Sequence, residues 1–338
     1  MPNITMQKVA DIAGVSIKTV SRVINKESGV NKETRKRILA IVEELDYQPN
    51  LAARGLAAAR SFLIALLYEN PSDSYITSLQ DGALTSCREH DYGLLIHPCK
   101  HHDTNFCDSV KSMVRQSRVD GLILTPPLCD HEELLDMLDE RGLKYVRISP
   151  LEENDRSPVV YADEFSAAYR MTEYLVSQGH TRIGFVTGHP NRSGTERRLK
   201  GYRQALKDAE LQLDPSIIIQ GQYTFESGET AARKLLRAKN RPTAIFASND
   251  YMAAGVMKVA HQLKIRVPYE LSIAGYDDSP LAHHIWPRLT TIDHPVRLVA
   301  RQAASLLVKH LNGEPAVFDP DSIHSELVIR ESTGPLVD

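Results

Sequence analysis

What is scarce in this chain narrows its function first. Only four cysteines occur in 338 residues (Cys87, Cys99, Cys107 and Cys129), none in a CxxC pair, so no disulfide framework or thiolate metal motif is legible. No apolar run approaches membrane-spanning length, and the opening MPNITMQKVAD lacks the hydrophobic region of a signal peptide. A cytoplasmic protein without a membrane partner is therefore expected. A nucleophile elbow, a P-loop and a GxGxxG run are all missing, and His189, in GHPNRSG, has no visible catalytic partner. An enzyme is not expected, and no cofactor is implied. Net charge is small too, at −3, which by itself argues against a nucleic-acid binder. Its distribution argues the other way. Residues 1–60 hold ten Lys/Arg against six Asp/Glu, a surplus of four positive charges, so the remainder carries −7. A basic head on an acidic body suits a small DNA-binding module joined to a soluble sensor.

The head contains the most informative stretch, VADIAGVSIKTVSRVINKE, residues 9–27. Val9, Ile12 and Ala13 recur at helical spacing, and Val15, Val20, Val23 and Ile24 do so again. Gly14 falls where the first helix must stop and the chain must turn with positive φ. Thr5 is placed to cap the first helix, without a capping box because Lys8 occupies the third position, and Ser16 is placed to cap the second. This pattern predicts a helix-turn-helix. Its second helix presents Ile17, Lys18, Ser21 and Arg22 outward, a set suited to base edges and phosphates in a major groove. A third helix over 31–45 closes the small core with Ile38, Leu39, Ile41, Val42 and Leu45, and Tyr47 and Pro49 break it. Residues 50–60, NLAARGLAAAR, carry five alanines and two leucines where a flexible linker would be Gly/Ser-rich. The segment is helix-prone but too short to be stable alone, so it is poised to fold on docking.

From Ser61 the pattern becomes strand-then-helix. FLIALLY, YGLLIHP, DGLILTP and KYVRIS alternate with helices near 75–90, 105–117 and 131–141. After VVYADEF the series restarts as RIGFVTG, SIIIQG, TAIFAS and LSIAGY, with helices near 165–179, 195–209, 226–238 and 250–264. Two series of buried strands and crossover helices predict two doubly wound parallel-sheet subdomains with a cleft between them. Ligands of such sheets sit at the carboxyl ends of the strands. That rule selects Arg198, Asn249 and Asp277, with Tyr75, Ser149, Asp163 and Phe165. An Arg facing an Asp can grip vicinal hydroxyls, one donating and the other accepting. Asp250 is expected to cap the helix that follows it. Arg147 and Arg192 have no assigned place; either one in the cleft would favour an anionic ligand such as a sugar acid. HPCKHHDTNFC gathers His97, Cys99, His101, His102 and Cys107 within eleven residues, but on a strand end and loop without fixed ligand spacing, so no metal site is expected.

The run VADIAGVSIKTVSRVINKESGVNKETRKRILAIVEELDYQPNLAARGL resembles the amino-terminal headpiece of LacI/GalR-family transcription regulators, without a gap from Ile4 to Leu56. TEYLVSQGHTRIGFVTG, RPTAIFASNDYMAAGVM, LSIAGYDD, LTTIDHP and LVIREST extend the resemblance over essentially the whole chain. It implies an all-α headpiece over 1–49, a hinge over 50–60, and a type I periplasmic-binding-protein-like effector domain over 61–338. Within that domain the N-subdomain would take about 61–161 and 293–322, and the C-subdomain about 162–292 and 323–338. The final helix near 295–312 would return to the first subdomain and SELVIRE to the second. The resemblance also implies a homodimeric repressor reading a pseudo-palindromic operator through Thr5, Ser16, Ile17, Lys18, Thr19, Ser21, Arg22, Asn25, Asn50, Ala53 and Leu56. In it Leu56 would wedge between base steps. Arg198, Asn249 and Asp277 match positions that commonly contact effector, and Tyr223 an aromatic position that packs on the effector ring. A sugar or sugar-derived effector is expected. A purine is the alternative, with Phe165 and Tyr223 as stacking partners, and a sugar-processing enzyme carrying a DNA-binding head is a further one. No leucine heptad follows LVIREST, so nothing supports a coiled-coil tetramer.

Overall fold

In a computed structural model, which describes residues 4–24, 28–47, 60–152 and 154–336, the chain forms two compact units, residues 1–62 and 63–338. The first holds α1 (Met6–Ala13), α2 (Ile17–Ile24) and α3 (Lys32–Glu44). Thr5 accepts from the Lys8 backbone N–H, and Gly14 takes the left-handed conformation (φ 62°, ψ 38°) that turns the chain between the first two helices. Val9, Ala10, Ala13, Val20, Val23, Ile38 and Tyr47 form the core. Two residues expected in that core lie outside it: Ile12 is 53% and Leu39 48% exposed. Ile12 is one residue, about 100° of helix rotation, away from Ala13 and so turns off the seam that Val9, Ala10 and Ala13 share. Tyr47, expected only to help end the helix, is buried instead.

The second unit begins with β1 (Leu63–Tyr68), α4 (Asp73–Glu89), β2 (Gly93–Pro98), α5 (Phe106–Ser117), β3 (Gly121–Leu124), α6 (Glu132–Glu140), β4 (Lys144–Ile148) and β5 (Val159–Val160). These strands make a parallel sheet in the order β2-β1-β3-β4-β5. The next series is α7 (Glu164–Ser177), β6 (Ile183–Thr187), α8 (Ser193–Asp208), β7 (Ile218–Gln220), α9 (Phe225–Leu236), β8 (Ala244–Ala247), α10 (Asp250–Gln262) and β9 (Ser272–Ala274). It makes a second parallel sheet, β7-β6-β8-β9. Helices cover both faces, so the central strands are buried along nearly their whole length and read as continuous apolar runs.

The remaining elements are α11 (Pro280–His284), β10 (Thr291–Asp293), α12 (Val296–Leu311) and β11 (Glu326–Val328). α12 returns to the first lobe. It packs on α4 at Gly82, where an added Cβ would meet the Arg297 carbonyl oxygen at 2.1 Å. β11 goes back to the second lobe and pairs antiparallel with β10, Ile292 opposite Leu327. The chain therefore passes between the lobes three times, after β5, after β10 and before β11. Among the described residues no helix is long and apolar enough to cross a membrane.

Candidate nucleic-acid interface and ligand cleft

On α2 the apolar seam takes Val20 and Val23, which leaves Ile17 (44% exposed) and Lys18 on the open face, with Thr19, Ser21 and Arg22 half-buried at its edges. The Ser16 hydroxyl accepts from the Thr19 backbone N–H at 3.2 Å and meets the Thr19 hydroxyl at 2.9 Å, which fixes the first turn of the helix. One exposed cation, small hydroxyls and an apolar tip on a short rigid helix are the groups that base edges and phosphates accept. Asn25, Asn50, Ala53 and Leu56 lie outside the described residues.

In the second unit, strand ends and helix starts from both lobes converge on one cavity. The first lobe contributes Asn70, Ser72, Tyr75, Pro126 and Ser149, and the second Glu164, Arg192, Arg198, Tyr223, Asn249, Asp277 and His294. Its volume is about 60 Å³. A single water needs about 10–15 Å³ on this scale, so the cleft has room for a small polar molecule. Ser149 (φ 45°), Tyr223 (φ 63°) and Asp277 (φ 113°) all line it in the left-handed half of conformational space. Non-glycine residues held there cost of order 1 kcal/mol or more and persist where the surroundings fix them, commonly at binding sites.

Arg198 is the centre of the site. Its Nη2 donates to Glu164 Oε1 at 2.8 Å, Nη1 donates to the Ser248 carbonyl, and the guanidinium lies 3.6 Å from the centre of the Tyr276 ring. Gly194 makes room for the pair, since a Cβ there would fall 2.7 Å from Glu164 Oε1. Burial alone would push Glu164 up, but the charge of Arg198 and its hydrogen bond hold the carboxyl below the ordinary carboxylate value. Burial, only partly opposed by Arg198, pushes Asp277 well above that value. Burial also depresses His294 to about 4, so its imidazole is neutral at pH 7. Three buried atoms of residues lining the cavity, Glu164 Oε2, Arg198 Nε and His294 Nδ1, have no hydrogen-bond partner among the described residues. Buried polar groups are rarely left so, and a ligand presenting hydroxyls would complete them.

Of the eight cleft candidates, six line the cavity: Tyr75, Ser149, Arg198, Tyr223, Asn249 and Asp277. Two do not. Asp163 is exposed and caps α7, its carboxylate accepting from the Ser166 N–H at 3.0 Å, and Phe165 is 38% exposed. Between them, Glu164 turns inward, so the acid that pairs with Arg198 is this residue rather than Asp277. Asn249, not Asp250, caps α10; it accepts from the Met252 N–H at 2.9 Å and donates to the Tyr223 carbonyl at 3.0 Å. Asp250 is buried, accepting from the Ser279 N–H, the Ser279 hydroxyl and the Thr291 hydroxyl at 2.7, 2.9 and 2.6 Å. Arg147 is 1% exposed and faces away from the cavity into the 152–157 loop, bonded to Asn154 Oδ1 at 2.7 Å and Ser157 Oγ at 3.1 Å. Arg192 does line the cavity. In the His/Cys segment, His101 pairs with Glu69 at 2.8 Å and Cys107 is buried. Among the described residues no three such side chains are grouped to hold a metal ion. Glu164 and His294 escaped the sequence reading because an acid opening a helix and a histidine before a proline are both commonplace. Only the positions just after β5 and β10 mark them.

The family described as "Bacterial regulatory proteins, lacI family" matches residues 5–50, and "Periplasmic binding protein-like domain" matches residues 172–333. The chain is similar to the HTH-type transcriptional repressor PurR of Vibrio vulnificus, 31% identical over 97% of this chain and 98% of the relative. It is also similar to the HTH-type transcriptional regulator DegA of Bacillus subtilis, 32% identical over 98% of each chain. Among solved structures, a transcriptional regulator CelR–cellobiose complex aligns with a TM-score of 0.73 at 29% identity, covering 97% of this chain and 99% of that one. The lac repressor dimer bound to operator and the anti-inducer ONPF aligns with a TM-score of 0.76 at 25% identity, covering 98% and 99%.

Proposed function

This chain belongs to the LacI family of DNA-binding transcriptional repressors, and we propose that it acts as a homodimer released from a pseudo-palindromic operator by a small sugar or sugar-derived effector. The observation that carries the effector reading is the cavity around Arg198, with buried atoms of Glu164, Arg198 and His294 that have no partner among the described residues. The lining offers both donors and acceptors, as vicinal hydroxyls require. The similar CelR structure is named as a complex with cellobiose, which supports a carbohydrate as effector.

In the proposed division of labour, residues 1–49 read DNA, 50–60 link, and 61–338 bind effector and partner. The Ile17–Arg22 face of each headpiece enters one major-groove half-site, and two-fold symmetry of the dimer matches the operator. Effector binding favours one arrangement of the two lobes over another, and release of DNA follows as a population shift. The protein works by binding rather than turnover, in the cytoplasm where its DNA lies.

A purine is the second reading, favoured by Tyr75 and Tyr223 in the cavity wall and by the relatives named PurR. Its sign would be opposite, a corepressor strengthening DNA binding. A thermal-shift panel on the full chain with neutral sugars, sugar acids, sugar phosphates and purines separates them, since a ligand at a hundred times its Kd adds about 2.7 kcal/mol of stability. Each hit is then titrated into operator complexes. A sugar that stabilises the chain and lowers operator affinity supports the first reading. A purine that raises operator affinity replaces it.

A further inference from the structure

We propose that the effector is an anion, a sugar derivative bearing a carboxylate or phosphate, and that its charged group sits at the first turn of α8 against Arg192. The proposal rests on reading the cleft as the effector site.

Arg192 lies in the cavity wall and donates only to neutral groups, Nη1 to the Pro126 carbonyl at 3.0 Å and Nη2 to the Glu69 carbonyl at 2.8 Å. An arginine carries five N–H donors. Two are used here, and the rest of the fork is available to a ligand. No carboxylate forms an ion pair with Arg192 among the described residues. The neighbouring Glu69 carboxylate is held instead by His101, accepting from its backbone N–H and meeting its Nδ1, both at 2.8 Å.

The other charges of the cavity are already balanced. Glu164 neutralises Arg198, and Asp277 is held toward its protonated form by burial. Arg192 is the remaining cation of the lining, and the acid that shares its field, Glu69, does not itself line the cavity. Arg192 is also the N-cap of the sixteen-residue α8 and gives it no side-chain cap, while Ser193 and Gly194, whose N–H groups open the helix, line the same wall. A guanidinium beside an uncapped helix start offers both charge and directed N–H donors to an anion. Arg198, 5% exposed with its Nε unpartnered, lines the same cavity and is independent evidence that a ligand completes this wall. The hydroxyls of the ligand would then fall to Glu164, Arg198 and His294.

The test uses the full-length protein and isothermal titration with matched compounds: D-glucose, D-gluconate, D-glucuronate and glucose 6-phosphate, and the galactose counterparts of each. At least one charged member should bind about tenfold or more tightly than its neutral parent, the difference expected when a neutral hydrogen bond becomes charge-assisted. The carboxylate and phosphate arms say which group is taken. In Arg192→Gln the ratio of charged to neutral affinity should fall toward one, and Arg192→Lys, which keeps the charge without the fork, should retain part of it. A purely structural role for Arg192, bridging the lobes through the two carbonyls, would weaken both members equally and leave the ratio unchanged. That result overturns the proposal, as does a neutral parent that binds as well as its acids, or a panel in which no charged member binds. A neutral sugar that binds and releases operator would overturn the anion assignment alone and leave the effector reading standing. Release by no sugar, charged or neutral, would remove the sugar-effector reading as well.

Discussion

Glu164 Oε1 accepts from Arg198 Nη2 at 2.8 Å, with both side chains no more than 6% exposed, yet each keeps a second buried atom without a partner. Both side chains belong to the cavity wall, and these two atoms are buried within it. Two buried charges repay their desolvation only when their remaining hydrogen bonds are made, and here a ligand is placed to make them.

The pair should behave as a unit in folding. Arg198→Ala and Glu164→Ala are each expected to cost the second unit roughly 3 kcal/mol, because each strands the other charge. The double variant should cost clearly less than the sum. Urea unfolding of the three variants without ligand measures this, and strictly additive losses would show that the two side chains do not depend on one another.

Asp250 gives the stability of the second unit a pH dependence. Burial holds its carboxyl up to about 7 against an ordinary value of 3.8. The folded chain therefore keeps a proton that the unfolded chain has released. The stabilisation from this proton is complete below about pH 4 and is lost as pH rises to about 7. Asp250→Asn should flatten the fall in unfolding free energy over that window, and an identical slope in variant and parent would exclude Asp250 as its source.

Lys18→Ala should alter base preference at one position of each half-site, read by binding to a set of single-substitution operators. A uniform loss across all sequences, with a salt dependence reduced by about one charge, would make Lys18 a phosphate contact only.

Gly82→Ala should damage the first lobe by forcing apart α4 and α12, since its Cβ would lie 2.1 Å from the Arg297 carbonyl oxygen. Overpacking at a backbone contact costs about 1–3 kcal/mol or more. A loss of several degrees in Tm is expected, and an unchanged Tm would mean that the two helices separate freely.

The strands and helices of both lobes were legible because burial on two faces writes continuous apolar runs, and because Gly14, Thr5 and Ser16 mark the corners of the headpiece chemically. Cleft residues at strand ends were legible by the same topology, which is how Arg198 and Asp277 came to be chosen. What failed was the resolution of one residue. In YADEFSA, Asp163, Glu164 and Phe165 are equally placed by strand-end logic, and only the 100° step per helical residue decides that Glu164 points inward while its neighbours cap the helix and face solvent. The same step turns Ile12 off the seam of Val9, Ala10 and Ala13. Arg147 and Arg192 could not be separated at all, because whether an arginine ends in a loop or in a cleft depends on tertiary neighbours distant in sequence.

Three passages of the chain tie the lobes together, after β5, after β10 and before β11. A single tether would let one lobe wander in every direction, whereas three side by side act as the spine of a book. They leave opening and twisting about the spine as the cheap motions and make sliding or pulling apart expensive. A molecule only a few ångströms across, by choosing one angle of that spine, can therefore set the spacing of surfaces far from where it binds.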